Sequence, residues 1–238
     1  MNTRIVEVID RSAQGVTRPF LCRGDDGHQY FVKGRGAGRR ALISEWLAGN
    51  LGLHLGLPIP PLAQAHIPDE LVKGSARDDL HDLGTGVGFG SRQIANVDEL
   101  TYQFVGQIDS KLRAKILLFD WWISNGDRTL SADGGNPNLL WSHREQRLHV
   151  IDHNLALDES NFGGFWDEHI FRASSSEWTP TFRDEIVGQM SAALSFVPQW
   201  WREMPADWTE IACGLDLPSV LKLLSRFERA PRTFWRNS

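Results

Sequence analysis

Near Ala95–Asp98 the hydrophobic repeat of this chain changes, and that change constrains the fold more than any other feature. Before it, short segments alternate apolar and polar side chains with the period of a half-buried strand. After it, apolar residues recur at the three- and four-residue spacing of helices. Strands gathered at one end and helices at the other imply an α+β fold. We therefore expect a bilobal arrangement, with a small strand-rich N-terminal lobe over residues 1–95 and a larger helical C-terminal lobe over residues 96–238. A chain of 238 residues, 41% of them apolar, is long enough for a sizeable core.

In the first part, Arg4 to Ile9, Pro19 to Arg23 and Gln29 to Lys33 read as strands, with Gly24-Asp25-Asp26-Gly27 as a hairpin turn. Gly34-Arg35-Gly36-Ala37-Gly38 reads as a flexible connection to a helix from about Arg40 to Leu51. Its apolar stripe is Ile43, Leu47 and Leu51, and Glu45 falls on the opposite side. Leu57-Pro58-Ile59-Pro60-Pro61 stops any helix. Strands are expected from Ala63 to Ile67 and from Val87 to Ile94, with Lys73 to Gly84 as loop. In the second part, Ser110 is a helix N-cap candidate, and Leu112, Ile116, Phe119 and Ile123 form one apolar face that ends at Asn125-Gly126. Leu139 to Trp141 and Leu148 to Ile151 are strands around a polar turn. From about Phe182 to Trp235 the pattern is helical, broken at Pro198, Pro205 and Pro218, and the ten tryptophans belong to a helical core.

Several function classes are excluded by composition. A net charge of −5 argues against a general nucleic-acid binder. Cys22 and Cys213 lie too far apart for a metal or redox pair, and His143, His149 and His153 read as strand-surface residues. No apolar run is long enough to cross a bilayer and no secretory signal is visible, so a cytoplasmic protein with no membrane partner is expected.

The chemistry lies around the second hairpin. A turn centred near Arg144 and Glu145 pairs Asn136 to Asn138 with Ile151 to His153, so an amide meets the Asp152 carboxylate at the open end. Asp127, just past the preceding helix, is carried to the same end. One carboxylate is then placed to orient a hydroxyl, and an oxygen-donor pair suits Mg²⁺. Lys33 at the end of a strand and Glu45 on the next helix, twelve positions on, form the kind of pair that holds nucleotide phosphates. Arg11 to Arg18 is the candidate covering loop, with Ser12, Gln14, Gly15 and Thr17 as donors. Asp120, in mid-helix, reads as a structural hydrogen-bonding residue instead of a second base.

These motifs, in this order from Gly15-Val16-Thr17 to Ile151-Asp152-His153-Asn154, resemble those of the HipA-like kinases, whose fold is related to that of protein kinases and phosphatidylinositol kinases. The resemblance spans roughly residues 4 to 157. It implies an ATP-dependent phosphotransferase with Asp127 as catalytic acid/base, Lys33 on the ATP phosphates, and Asp152 with Asn136 or Asn138 on Mg²⁺. The implied partners are ATP and a hydroxyl acceptor, a protein Ser/Thr for the family, with a small molecule or lipid headgroup as the alternative. The chain departs from the family pattern at Thr129, where a histidine is usual, in the longer stretch from Leu130 to Gly135, and in lacking an Ala-Pro-Glu motif. The first two departures motivate the other reading, a nucleotide-binding pseudokinase that serves as an interaction module.

Overall fold

The computed structural model describes residues 1–12 and 17–235. Strands β1 (Asn2–Arg11), β2 (Phe20–Gly24) and β3 (Gln29–Lys33) lead into helix α1 (Arg39–His54), and then β4 (Leu62–Ile67), short helices α2 (Asp69–Lys73) and α3 (Leu80–Leu83), and β5 (Gly86–Arg92). The strand-rich part closes into a barrel in the order β1-β2-β3-β5-β4, because β1 also pairs in parallel with β4. Closure leaves no sheet edge to protect. The residues read as loop from Lys73 to Gly84 include α3, whose Leu80 and Leu83 plug the barrel core beside Ile5, Phe20, Tyr30 and Val32.

The first two glycines of the run after β3, Gly34 and Gly36, make a close-packed junction and not the flexible connection expected. A Cβ on Gly34 would lie 1.9 Å from the Leu83 carbonyl oxygen, and one on Gly36 would lie 2.9 Å from the Asp82 Cβ. We expect Gly34→Ala to lower stability by about 1–3 kcal/mol through the backbone shift that overpacking forces. Chemical denaturation checks this, and an unchanged midpoint would contradict it.

The later part follows as β6 (Asp98–Glu99), α4 (Ser110–Ile123), β7 (Thr129–Ser131), β8 (Gly134–Asn136), β9 (Leu139–Ser142), β10 (Arg147–Val150), α5 (Phe165–Glu168), α6 (Pro180–Glu203), α7 (Ala206–Thr209), α8 (Leu217–Leu224), α9 (Arg226–Arg229) and α10 (Pro231–Phe234). The N-cap of α4 is Asp109, whose carboxylate accepts the Leu112 N–H at 3.0 Å, so Ser110 is the first helical residue instead of the cap. Pro198 lies inside α6 and does not break it. A single proline removes one backbone hydrogen bond, and the stripe of Ile186, Met190, Ala193 and Val197 holds the helix in the core on the other side of the balance.

One large core joins α1, α4 and α6 with the β9–β10 hairpin. Three of the tryptophans are built into it as polar-tipped wedges. Trp122 donates to the Leu224 carbonyl at 2.7 Å, Trp178 to Ala114 at 3.0 Å and Trp208 to Val87 at 2.9 Å. A buried indole N–H left without an acceptor would be costly, and these sites each supply one. Among the described residues no helix is long and apolar enough to cross a membrane.

Candidate functional site

Hairpin pairing organises the site. Val150 faces Leu139 and Arg147 faces Ser142, which centres the turn between Arg144 and Glu145 as expected. The ladder continues one step further, where the Ile151 N–H donates to the Asn138 carbonyl at 3.1 Å. At that open end Asn138 and Asp152 both take left-handed backbone conformations, with φ of 48° and 56°. Asn and Asp tolerate this region better than other non-glycine residues, and such strain gathers where side chains must be aimed.

Asp127 is carried to the same place. Its Oδ2 accepts from the Asn136 side-chain amide at 3.0 Å and from that of Asn138 at 2.8 Å. The apparent insertion between Asp127 and Asn136 is itself a small hairpin, in which Thr129 pairs with Asn136 and Ser131 with Gly134. Folding back on itself, the extra length returns the chain to Asp127, and both candidate asparagines reach one carboxylate oxygen.

Across the cleft, Lys33 ends β3 opposite Phe89 of β5. Its ammonium lies 2.5 Å from Glu45 Oε1 and 2.7 Å from Asp152 Oδ1, so one buried cation ties the barrel, α1 and the end of the β9–β10 hairpin together. Glu45 is only 2% exposed. The side of α1 opposite the Ile43, Leu47 and Leu51 stripe, where Glu45 was placed, is itself buried, because α1 is enclosed almost all round. Glu45 Oε2 also accepts the His153 main-chain N–H at 3.0 Å. His153 is likewise buried instead of lying on a strand surface, edge-on to Phe119.

Burial alone would lower the Lys33 ammonium, but the carboxylates of Glu45 and Asp152 outweigh it and hold the lysine above its ordinary range. Burial would raise Glu45, yet Lys33 holds it well below the usual carboxylate range. At Asp152 the balance reverses: burial and the nearby Glu45 charge push its carboxyl up, against the pull of Lys33.

Beneath the site sits a second ionic centre that the sequence reading assigned only in part. Arg128 and Asp120 are fully buried, with Arg128 Nε 2.7 Å from Asp120 Oδ2. Arg128 Nη1 also donates to the carbonyls of Pro137 at 3.1 Å and Asn138 at 2.6 Å. His169 Nδ1 accepts the Phe171 N–H, which leaves its Nε2–H to donate to Asp120 at 3.0 Å. Asp120 is structural, as its mid-helix position implied. Arg128 and His169 were missed, and the adjacency of Arg128 to Asp127 was the only signal available.

The cleft of about 250 Å³ between these walls is lined by Ile59, Leu62, Phe89, Ile94, Leu139 and Val150 on its apolar side, and by Lys33, Asn136, Asn138 and Asp152 on its polar side. Ser12 and Thr17 line its rim. Gln14 and Gly15 lie outside the described residues. The apolar side suits a planar base, and the polar side offers a cation for phosphate with oxygen donors for a hard metal ion. Each asparagine directs its NH₂ to Asp127 and keeps its amide oxygen, the atom a hard cation takes. Among the described residues no group of three or more His, Cys, Asp or Glu side chains could hold a metal ion by itself. This donor set fits Mg²⁺, which is held by few protein ligands together with phosphate and water.

Compared with known proteins, residues 5–238 match the family model described as HipA-like kinase. No curated protein matches the chain.

Proposed function

The chain belongs to the HipA-like kinase family, and from that premise, which makes it a kinase-type phosphotransferase, we propose that its cleft binds Mg·ATP and passes the γ-phosphoryl group to a hydroxyl acceptor. The acceptor we assign, on family likeness, is a protein Ser or Thr side chain. The observation that carries the reading is Lys33, held between Glu45 at 2.5 Å and Asp152 at 2.7 Å, with Asp127 and its two amide partners at the same open hairpin end as Asp152. We read the barrel part and the helical part as two lobes divided near residue 95, with the nucleotide between them.

When bound, Mg·ATP supplies the transferable phosphoryl group and the metal charge that stabilises it in transfer. The chain's own residues do the rest. Lys33, oriented by Glu45, faces the phosphates. Asp152 and the amide oxygen of Asn138 or Asn136 hold the metal. Ser12 and Thr17 lie at the rim, in the covering loop to which we also assign Gln14 and Gly15. Asp127 orients the acceptor hydroxyl and takes its proton as the new P–O bond forms and the bond to the ADP leaving group breaks. The asparagine amides keep Asp127 aimed.

Asp152→Asn tests this. The variant should form no ADP above background, while wild type does, and equal ADP formation would overturn the assignment. Its folding should not suffer. A carboxyl raised in the folded state contributes stability only at low pH, which is lost as pH rises through that raised value, so a neutral isostere at neutral pH keeps or raises Tm. The same shift fixes a pH dependence. Metal binding needs the carboxylate, so kcat/KM for Mg·ATP, which reports the free enzyme, should begin to fall, as pH drops, above the range where an ordinary aspartate is protonated. A rate profile that stays flat down to that ordinary range would contradict it.

A further inference from the structure

Arg226, at the start of α9, reaches back to the end of α4, the helix that delivers Asp127. Its Nη2 donates to the carbonyls of Trp121 at 3.0 Å and Trp122 at 3.1 Å and to Ser124 Oγ at 3.0 Å. Its Nη1 meets Glu159 Oε1 at 3.0 Å, and the guanidinium lies 5.8 Å from the centre of the Trp121 ring. The last carbonyls of a helix have no partners within it and must find them elsewhere. In α4 the Asp120 carbonyl accepts the Ser124 and Asn125 N–H groups, and the Ile123 carbonyl accepts the Leu157 N–H. Arg226 takes the two that remain, and its charge is favourable at the negative end of the helix dipole.

Only Asn125 and Gly126 separate Ser124, the last residue this clamp holds, from Asp127. Ser124 is fully buried and sits in the left-handed region at φ 53°, so the direction of the chain into the loop is set at the residue Arg226 holds. Through Glu159 the same side chain grips the segment that follows Asp152. We propose that Arg226 is a positioning residue for phosphoryl transfer: the C-terminal helices brace the end of α4 through it and so fix the aim of Asp127. This rests on the kinase reading of the site above. Arg226 lines no part of the cleft, and Lys33 and Glu45, which make the phosphate wall, stand on β3 and α1, which Arg226 does not touch.

The test compares wild type with Arg226→Met and Arg226→Lys. For Arg226→Met, kcat should fall about 10²-fold, the scale of a small misplacement of a reacting group. The Kd for Mg·ATP, by calorimetry, should stay within about twofold of wild type because the phosphate wall is untouched. Arg226→Lys keeps the charge without the planar fork and should recover part of the rate. Amide hydrogen exchange gives a readout that does not need turnover. Ser124 and Asn125 should exchange faster in Arg226→Met while the barrel amides do not change. Equal kcat in a folded Arg226→Met, or unchanged exchange at Ser124 and Asn125, would overturn the inference. A wild type that transfers no phosphate counts against the kinase reading instead, and the exchange comparison still decides the role of Arg226.

Discussion

Arg128→Ala is expected to cost the fold about 3–5 kcal/mol, the scale of breaking a buried ion pair by removing one partner. The guanidinium is fully buried, and each of its edges is used. Asp120 would keep its charge in a dry interior, with only His169 and Asn125 left as donors at 3.0 and 2.8 Å. The Pro137 and Asn138 carbonyls would lose the donor that ties the start of the β9–β10 hairpin to α4. The sign of the pH dependence follows. In wild type, burial would raise the Asp120 carboxyl, but Arg128 and His169 hold it well below the ordinary range. Such a group stabilises the fold above its unfolded pKa, and the contribution is lost as pH falls through the depressed folded value. Without Arg128 burial dominates and the carboxyl moves up, so the variant can shed the charge by protonation. The deficit against wild type should therefore narrow as the solution is acidified. Urea unfolding at neutral and mildly acidic pH measures both. A neutral-pH loss below about 1 kcal/mol would mean that Arg128 does not anchor the site.

Asp127→Asn should remove most of the turnover, by about 10²–10⁴-fold, while leaving nucleotide binding in place. The substitution is chosen because an amide oxygen can still accept from Asn136 and Asn138, which now lie 3.0 and 2.8 Å from Asp127 Oδ2. What it takes away is the ability to receive the acceptor proton. Steady-state ADP formation together with calorimetry separates the two effects. A loss of ATP affinity equal to the loss of rate would make Asp127 a binding group, and a rate within about tenfold of wild type would remove it from the chemistry.

The parts of the site legible in the sequence were those fixed by local rules. Strand pairing has a strict register, so the polar turn from Ser142 to Arg147 was enough to bring Asn138 opposite Ile151, as the ladder has it. Lys33 and Glu45 were linked by a strand-to-helix step, and they meet. The surroundings were less legible because they depend on what packs from far along the chain. Glu45 was placed opposite the apolar stripe, but one helix turn cannot reveal that this side of α1 is also enclosed, by α6 and the hairpin. Barrel closure was invisible, since the parallel pairing of Asn2 with Gln64 joins strands with no turn between them. Asp109 and Ser110 are both good caps side by side, and only the bond to Leu112 distinguishes them. The tryptophans announced a core, but not that their N–H groups and Arg226 would fasten the C-terminal helices to α4.

The most direct measurement of the central claim is calorimetric titration of ATP into wild type and Lys33→Met, each with and without Mg²⁺. Wild type should bind ATP in a Mg²⁺-dependent way, and Lys33→Met, which loses the cation that faces the phosphates, should bind at least about tenfold more weakly. Equal affinity in the two proteins, or binding by wild type that ignores Mg²⁺, would contradict the assignment of this cleft to nucleotide phosphates.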